Sequence, residues 1–416
     1  MNKGKPFDIS KQNVWDAYKR VRQNQGTCGV DAVTLQDFER NLEDNLYKLW
    51  NRMSSGSYFP PAVRLVEIPK KDGTMRPLGI PTVSDRIAQE VVRMILEPEL
   101  EPFFHEDSYG YRPGKSAIQA LGVTRKRCWR HDWVLDVDIK GFFDNLDHDL
   151  LMKALQKHTD SKWILLYVRR WLKAPAVRQD GVQIDRVKGT PQGGVISPLL
   201  ANLFLHYAFD EWMKRTQPRI PFERYADDIV VHCKTEKQAI YMKLEIAHRL
   251  RACRLSLHPA KTRIVYCKDE DRPLDYPVTK FDFLGYSFQA RLGKDKLGRF
   301  RVAFTPAISQ ESAKTIRQTM KRWKLPKRTN ATLQQLADMT NPALRGWLGY
   351  YGKYNKTKAS PVFRHLNEML VRWIKHKHKM KSNWRRARYV LGQIAVQNPN
   401  LFAHWQVGIH PLAYRR

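Results

Sequence analysis

Three aspartates are the residues best suited to chemistry: Asp138, near the end of WVLDVDI (133–139), and the adjacent Asp227 and Asp228 of RYADDIVVHC (224–233). Neighbouring carboxylates repel, and each raises the pKa of the other unless a cation sits between them. A regular strand would send Asp227 and Asp228 to opposite faces; a turn keeps them together. The plainer alternative is a hairpin turn with two solvated acids, since Asp is a common turn residue. Asp138 lies 89 residues before Asp227. If the two strands are neighbours, three hard oxygen donors converge, and with water and substrate phosphates they make the shell that Mg2+ requires. Two such ions activate an attacking hydroxyl and stabilise the leaving oxygen of an in-line phosphoryl transfer.

The surrounding elements must present these groups. WVLDVDI alternates, with Val134, Asp136 and Asp138 on one face and Leu135, Val137 and Ile139 on the other. Asp147 reads as the N-cap of DHDLLMKAL, and Asp149 complements the dipole of that helix, so both are structural. Residues 63–80 read as two strands joined by Lys70-Lys-Asp-Gly73, a hairpin signal. Residues 1–58 read as helical with a break at Asn24-Gln-Gly-Thr-Cys-Gly-Val-Asp31, where glycines suit a turn or a close backbone approach. The segment 84–121 is mainly helical, and its GYRPGKS (110–116) has the wrong glycine spacing for a phosphate loop. A glycine-rich loop, KGTPQGG (188–194), precedes the helical SPLLANLFLHYAFDEWM; a helix at 236–252 and a short strand at 262–267 follow.

Charge narrows the partner. The 416 residues hold 73 Lys and Arg against 41 Asp and Glu, a net +32, which favours a polyanion. No apolar run reaches the length of a membrane span, so nucleic acid is preferred to a lipid surface. The five cysteines are scattered without a CxxC pair, which argues against a disulfide framework or a zinc ribbon. Residues 311–388 carry 20 Lys and Arg against three acids, a local balance of +17. There Ile316, Met320 and Trp323 form a helical stripe ringed by Lys314, Arg317, Lys321 and Lys324. Aromatics interleave with bases in RGWLGYY (345–351) and WRR (384–386), a mixture suited to extended nucleic acid, although any single ring more often packs a core. His376 and His378 are at most phosphate contacts, because their Lys neighbours repel a metal. Acidic metal ligands within basic surroundings fit a polymerase or a nuclease.

Several motifs resemble, in order and spacing, those of the reverse transcriptases: DIKGFFD (138–144), GTPQGG (189–194) with SPLLAN (197–202), YADD (225–228) and FLGY (283–286). NxGxxGVD (24–31), IPK (68–70) with RPL (76–78), SYGYRP (108–113) and RGW (345–347) are similar to the group II intron-encoded branch, the maturase reverse transcriptases. The resemblance spans about 12–410 and implies an α+β right-hand polymerase: an N-terminal extension at 1–58, fingers and palm at 59–300, an all-α basic thumb and maturase domain at 301–390, and a tail at 391–416. It implies an RNA-directed DNA polymerase using two Mg2+ ions, or Mn2+, held by Asp138, Asp227, Asp228 and the Ile139 backbone carbonyl, with Asp228 the lesser ligand and Asp136 structural. Lys70 and Arg76 would grip the deoxynucleoside triphosphate. Gln192 and the Gly193-Gly194 backbone would approach it, Phe143 would exclude a 2′-hydroxyl while Phe142 packs the core, Lys261 would protonate the pyrophosphate, and Leu284-Gly-Tyr286 would support the primer end.

The implied partners are group II intron RNA, an RNA template with a DNA primer, and target DNA for intron mobility, with no membrane, in the bacterial cytoplasm. Lys314, Arg317, Lys321, Arg322, Lys324, Arg345, Arg385 and Arg386 would contact RNA. Relatives that cleave target DNA carry a further endonuclease with paired cysteines; no such segment follows residue 390, so the expectation is insertion from a primer made elsewhere. Two other functions fit the same residues: an RNA-binding splicing cofactor with a vestigial polymerase site, and a host-adopted reverse transcriptase serving repair or defence.

Overall fold

The computed structural model describes residues 5–69, 75–294, 297–380 and 383–411, which divide into two compact units, Met1–Ala120 with Trp133–Ile264, and Leu121–Asp132 with Val265–Arg416. The described residues are α+β and contain eleven strands: β1 (Val63–Pro69), β2 (Met75–Ile80), β3 (Trp133–Val137), β4 (Ala176–Val177), β5 (Gln183–Ile184), β6 (Phe222–Tyr225), β7 (Asp228–Cys233), β8 (Arg263–Tyr266), β9 (Lys280–Phe283), β10 (Tyr286–Lys294) and β11 (Phe300–Ile308).

The first unit opens with the helix Lys11–Asn24, capped by the Ser10 side chain, which buries Val14, Ala17, Tyr18 and Val21 against the helix Val83–Leu100. The glycine break that follows is a docking loop. Gly29 lies so close to Thr82 that a Cβ would stand 2.6 Å from its Cα, and buried Arg86 donates to the Gln25 and Thr27 carbonyls at 3.1 and 2.7 Å. β1 and β2 pair antiparallel, from Arg64 opposite Ile80 to Pro69 opposite Met75, as the Asp-Gly signal predicts; the turn itself, with Lys70, lies outside the described residues. β4 and β5 extend this sheet to the order β2-β1-β4-β5. Two residues each, they are too short to leave an alternating pattern in the sequence.

The second sheet of this unit positions the acids. β3 pairs antiparallel with β7, β7 pairs with β6, and β8, whose first two residues belong to this unit, lies on the other side of β3. Its central strands are apolar on both faces, with Val134, Leu135, Val230 and Val231 fully buried beneath the helices. One is Glu236–Ala252, capped by Thr235 and burying Ala239, Met242, Ile246 and Leu250. The other is the long run after the glycine loop: the helix Ser197–Leu205, a π-helical turn at His206–Asp210, and the helix Glu211–Thr216. Asp147 caps His148–Leu155 by accepting from the Leu150 N–H at 2.9 Å, the structural role read for it.

The second unit pairs β9, β10 and β11 antiparallel, in the order β11-β10-β9, with Phe281 stacked on Phe288 at 4.8 Å. Helices Gln310–Arg322, Leu333–Tyr351, Lys356–Lys377 and Trp384–Gln397 enclose a core that includes Ile316, Met320, Phe363, Leu370, Trp373, Leu391 and Trp405. The stripe read from the sequence is the buried face of the first of these helices. Trp323, just past its end, is half-buried and stacks on Trp347 at 5.6 Å. All five cysteines are free, and no described helix is long and apolar enough to cross a membrane.

Candidate polymerase active site

The acids meet because β3 and β7 are neighbours. Val137 opposes Ile229, so the next step along the same register sets Asp138 opposite Asp228 at one end of the sheet. Tyr225 pairs with Asp228, which leaves Ala226 and Asp227 as a two-residue turn, with Ala226 in the left-handed region at φ +57°. The plain hairpin reading of RYADD is therefore correct as geometry, and the company of Asp138 gives that hairpin its chemistry. Asp138 is tied down through its backbone: its carbonyl accepts from His258 N at 2.8 Å and Thr262 Oγ1 at 3.2 Å. Lys261 Nζ stands 3.7 Å from its carboxylate. Ile139 forms a bridge to Leu257 whose hydrogen bonds fall on Asp138 and Lys140, the residues on either side. Asp136 faces Arg263 at 3.0 Å, an ion pair that accounts for it without catalysis.

The electrostatics are those of crowded like charges. The surrounding protein, then Asp227, Asp138 and Asp136, push the Asp228 pKa up to about 7, with Lys261 opposing, although the side chain keeps contact with solvent. Desolvation and then Asp138 raise Asp227, while its own backbone N–H, Arg76 and Arg224 pull it down. Among the described residues no three His, Cys, Asp or Glu side chains form a ready metal cage. The donor set still fits a divalent ion: the groups are hard oxygens, their mutual repulsion disfavours full ionisation without a cation, and the open end of the sheet leaves room for the water and phosphate ligands magnesium prefers.

The glycine loop packs beside the finger sheet. Gly79 N donates to the Gln192 carbonyl at 2.8 Å, and Thr190 N donates to the Phe143 carbonyl at 2.8 Å. Arg76 is exposed on β2, opposite Ile68. Packing and backbone geometry add to two of the expectations. Gly193 is required by protein packing, since at φ +118° a Cβ would stand 2.6 Å from the Gly79 carbonyl oxygen, and at Gly194 a Cβ would stand 2.5 Å from Ser197 Oγ. The strand carrying Asp138 does not continue to Phe143; Gly141, at φ +55°, turns the chain into the short helix Phe142–Asn145. Both Phe142 and Phe143 are consequently buried, in edge contact at 5.3 Å.

In the second unit, Leu284-Gly285 forms a turn at φ +50° and +78°, anchored where Tyr350 Oη donates to the Leu284 carbonyl at 2.7 Å and Tyr286 Oη donates to the Tyr350 carbonyl. Lys314, Lys321, Arg322, Lys324, Arg345, Arg385 and Arg386 are exposed, and Arg317 is half-buried. His376 is exposed, and its Nδ1 donates to the Pro326 carbonyl at 2.8 Å, a surface link between two segments of the helical region.

Sequence reasoning assigned no role to Arg224, Asn202 or Asp210. All three are buried, and Arg224 bonds both of the others. The available signal was an Asn and an Asp inside an otherwise apolar helical run, where a polar side chain needs a partner.

A glycine loop against a finger hairpin, and carboxylates at the end of an antiparallel sheet backed by helices, define the palm of a template-directed polymerase. The chain belongs to the reverse transcriptase family: residues 68–288 match the reverse transcriptase (RNA-dependent DNA polymerase) family, and residues 313–390 match the group II intron, maturase-specific domain. It is similar to protein YkfC of Escherichia coli, 32% identical over 326 residues that cover 69% of this chain and 81% of that protein. It is also similar to the group II intron-encoded protein LtrA of Lactococcus lactis, 34% identical over 239 residues, 56% of this chain and 38% of LtrA. A third relative is the putative COX1/OXI3 intron 1 protein of Saccharomyces cerevisiae, 32% identical over 198 residues, 48% of this chain and 24% of that protein. The chain thus matches well under half the length of the two intron proteins.

Proposed function

We propose that this protein is an RNA-directed DNA polymerase that extends a primer on an RNA template from deoxynucleoside triphosphates, and that it binds group II intron RNA and promotes its splicing and mobility. The observation that supports this most is the register of β3 and β7, which sets Asp138 beside the Asp227-Asp228 turn with Lys261 3.7 Å from Asp138. Asp138, Asp227, Asp228 and the Ile139 carbonyl would hold the metal, with Asp227 the firmer ligand and Asp228 the lesser one. When bound, two Mg2+ ions, or Mn2+, lower the pKa of the primer hydroxyl and take charge off the departing pyrophosphate.

The chain's own groups do the rest. Arg76 and Lys70 hold the triphosphate; Arg suits a bidentate contact and Lys a point charge. Gln192 borders the nucleotide, held there by the packing of its loop on β2. Phe143 bounds the sugar from beneath, as a buried wall. Lys261, more than half exposed, is placed to hand a proton to the pyrophosphate. Exposed Lys314, Lys321, Arg322, Lys324, Arg345, Arg385 and Arg386, with Arg317, offer phosphates a basic face on the helical maturase segment. The test is primer extension with Asp227→Ala: cDNA synthesis disappears while RNA affinity stays within about twofold. An active variant refutes the metal assignment, and an inactive wild type favours the splicing-cofactor reading.

A further inference from the structure

The Tyr225-Ala-Asp-Asp228 turn is gripped from two sides by a buried polar network. Arg224 is fully enclosed; its Nε and Nη2 donate to the two Asp210 carboxylate oxygens at 2.8 and 2.6 Å, and its Nη1 donates to Asn202 Oδ1 at 2.9 Å and to the Ala226 carbonyl at 3.1 Å. Ala226 is the residue at φ +57°, a conformation that a non-glycine residue keeps only where its surroundings hold it. On the other side, Gly110 presses its backbone on the turn so closely that a Cβ would stand 2.3 Å from Ala226 N. The Gly110 carbonyl accepts from Asn202 Nδ2 at 2.7 Å, which closes the network. The preceding residues are laced to β6, with Arg224 N donating to the Asp107 carbonyl at 2.9 Å and Tyr109 N to the Arg224 carbonyl at 2.8 Å.

Both partners of Arg224 come from one helical run, Asn202 from Ser197–Leu205 and Asp210 from the π-helical turn His206–Asp210. Such turns are rare and recur where a side chain must be re-aimed for function. Stability alone is a poor reason to bury this ion pair, because well-packed apolar residues often serve a core as well or better. The guanidinium supplies something they cannot: a directed donor to the carbonyl of a strained turn.

We infer that Arg224, Asp210 and Asn202 are positioning residues, which together with the backbone of Gly110 fix the turn so that Asp227 and Asp228 meet a divalent ion with Asp138 in place. This rests on the polymerase reading of the three aspartates. The network touches neither substrate nor metal; it acts through the turn. Its loss therefore weakens metal binding before it abolishes folding.

The test uses the full chain bound to an RNA template and DNA primer, with two readouts: Mn2+ binding, followed by the EPR signal of the free ion, and single-nucleotide extension as a function of Mg2+. Gly110→Ala pushes the turn without altering charge. Asn202→Asp keeps the acceptor for Arg224 and removes the donor to Gly110. Arg224→Met with Asp210→Leu removes both charges together and so avoids stranding one. Each is expected to raise the metal midpoint at least tenfold in both readouts, with extension partly recovered at high Mg2+ and thermal unfolding of the double variant near wild type. A merely structural role would lower the active fraction and leave both midpoints in place, and that result in the folded double variant would overturn the inference. If wild type itself makes no cDNA and Asp227→Ala does not change its Mn2+ binding, the polymerase reading falls. An active wild type with unmoved variant midpoints overturns the positioning role alone.

Discussion

Replacing Gly193 by Ala tests how the glycine loop sets up nucleotide binding. Gly193 sits at φ +118°, where an L residue stores strain of about 1–3 kcal/mol. Its new Cβ would stand 2.6 Å from the Gly79 carbonyl oxygen and 3.2 Å from Leu78 Cδ1. The backbone oxygen belongs to a paired strand and cannot yield far, so the loop must lift off β2. Lifting breaks the 2.8 Å bond from Gly79 N to the Gln192 carbonyl, a further cost of about 0.5–1.5 kcal/mol. The combined penalty is about 1.5–4.5 kcal/mol. Even the lower bound displaces Gln192 from the nucleotide by an energy worth about tenfold in affinity. Single-nucleotide incorporation on a poly(rA) template, measured against dTTP concentration at saturating primer, should show KM raised about tenfold or more. Because the loop lifts as a local unit, the melting temperature should fall by no more than about a few degrees. A wild-type KM, or a fall in folded protein with KM unchanged, would refute the reasoning.

Three other outcomes are expected. Changing Lys321, Arg322 and Lys324 to Gln should weaken RNA binding and reduce the slope of log K against log salt by about 2–3, read by filter binding at several salt concentrations; an unchanged slope would place the RNA elsewhere. His404 is buried and its Nε2 bonds Asn367 Oδ1 at 2.7 Å; desolvation, then His410, push its pKa down to about 3. The folded state therefore favours neutral histidine, so its stabilisation is complete above the unfolded pKa of about 6.5 and is lost as pH falls toward 3, by at most about 5 kcal/mol. Denaturant titrations followed by tryptophan fluorescence should show this acid sensitivity reduced in His404→Gln. Gly29→Ala, whose Cβ would stand 2.6 Å from Thr82 Cα, should detach the loop at 24–31, seen as faster proteolysis there with the palm intact.

The parts of this fold that were legible were those with a short-range cause. The alternation of Trp133–Val137, the apolar stripe of Gln310–Arg322 and the Asp147 cap each follow from neighbours within a few residues. The pairing of the acids was legible only as a condition, that the strands bearing Asp138 and Asp227 be adjacent. What stayed hidden depended on contacts between distant segments. Gly193 is a glycine because β2 passes over it, and nothing at 188–194 announces Gly79. The helical turn that carries Phe142 and Phe143 was hidden because the left-handed Gly141 looks like any other glycine in sequence. Asn202 and Asp210 signalled an unmet polar need, but their partner was a residue quoted only as the start of RYADD.

The most direct test of the central claim is template-directed incorporation of deoxynucleotides by the purified full chain, on an RNA template with a DNA primer, in Mg2+ and after chelation. The account predicts extension with Mg2+, none with chelator, and none in either condition for Asp227→Ala. Extension that survives chelation, or survives in Asp227→Ala, would contradict it.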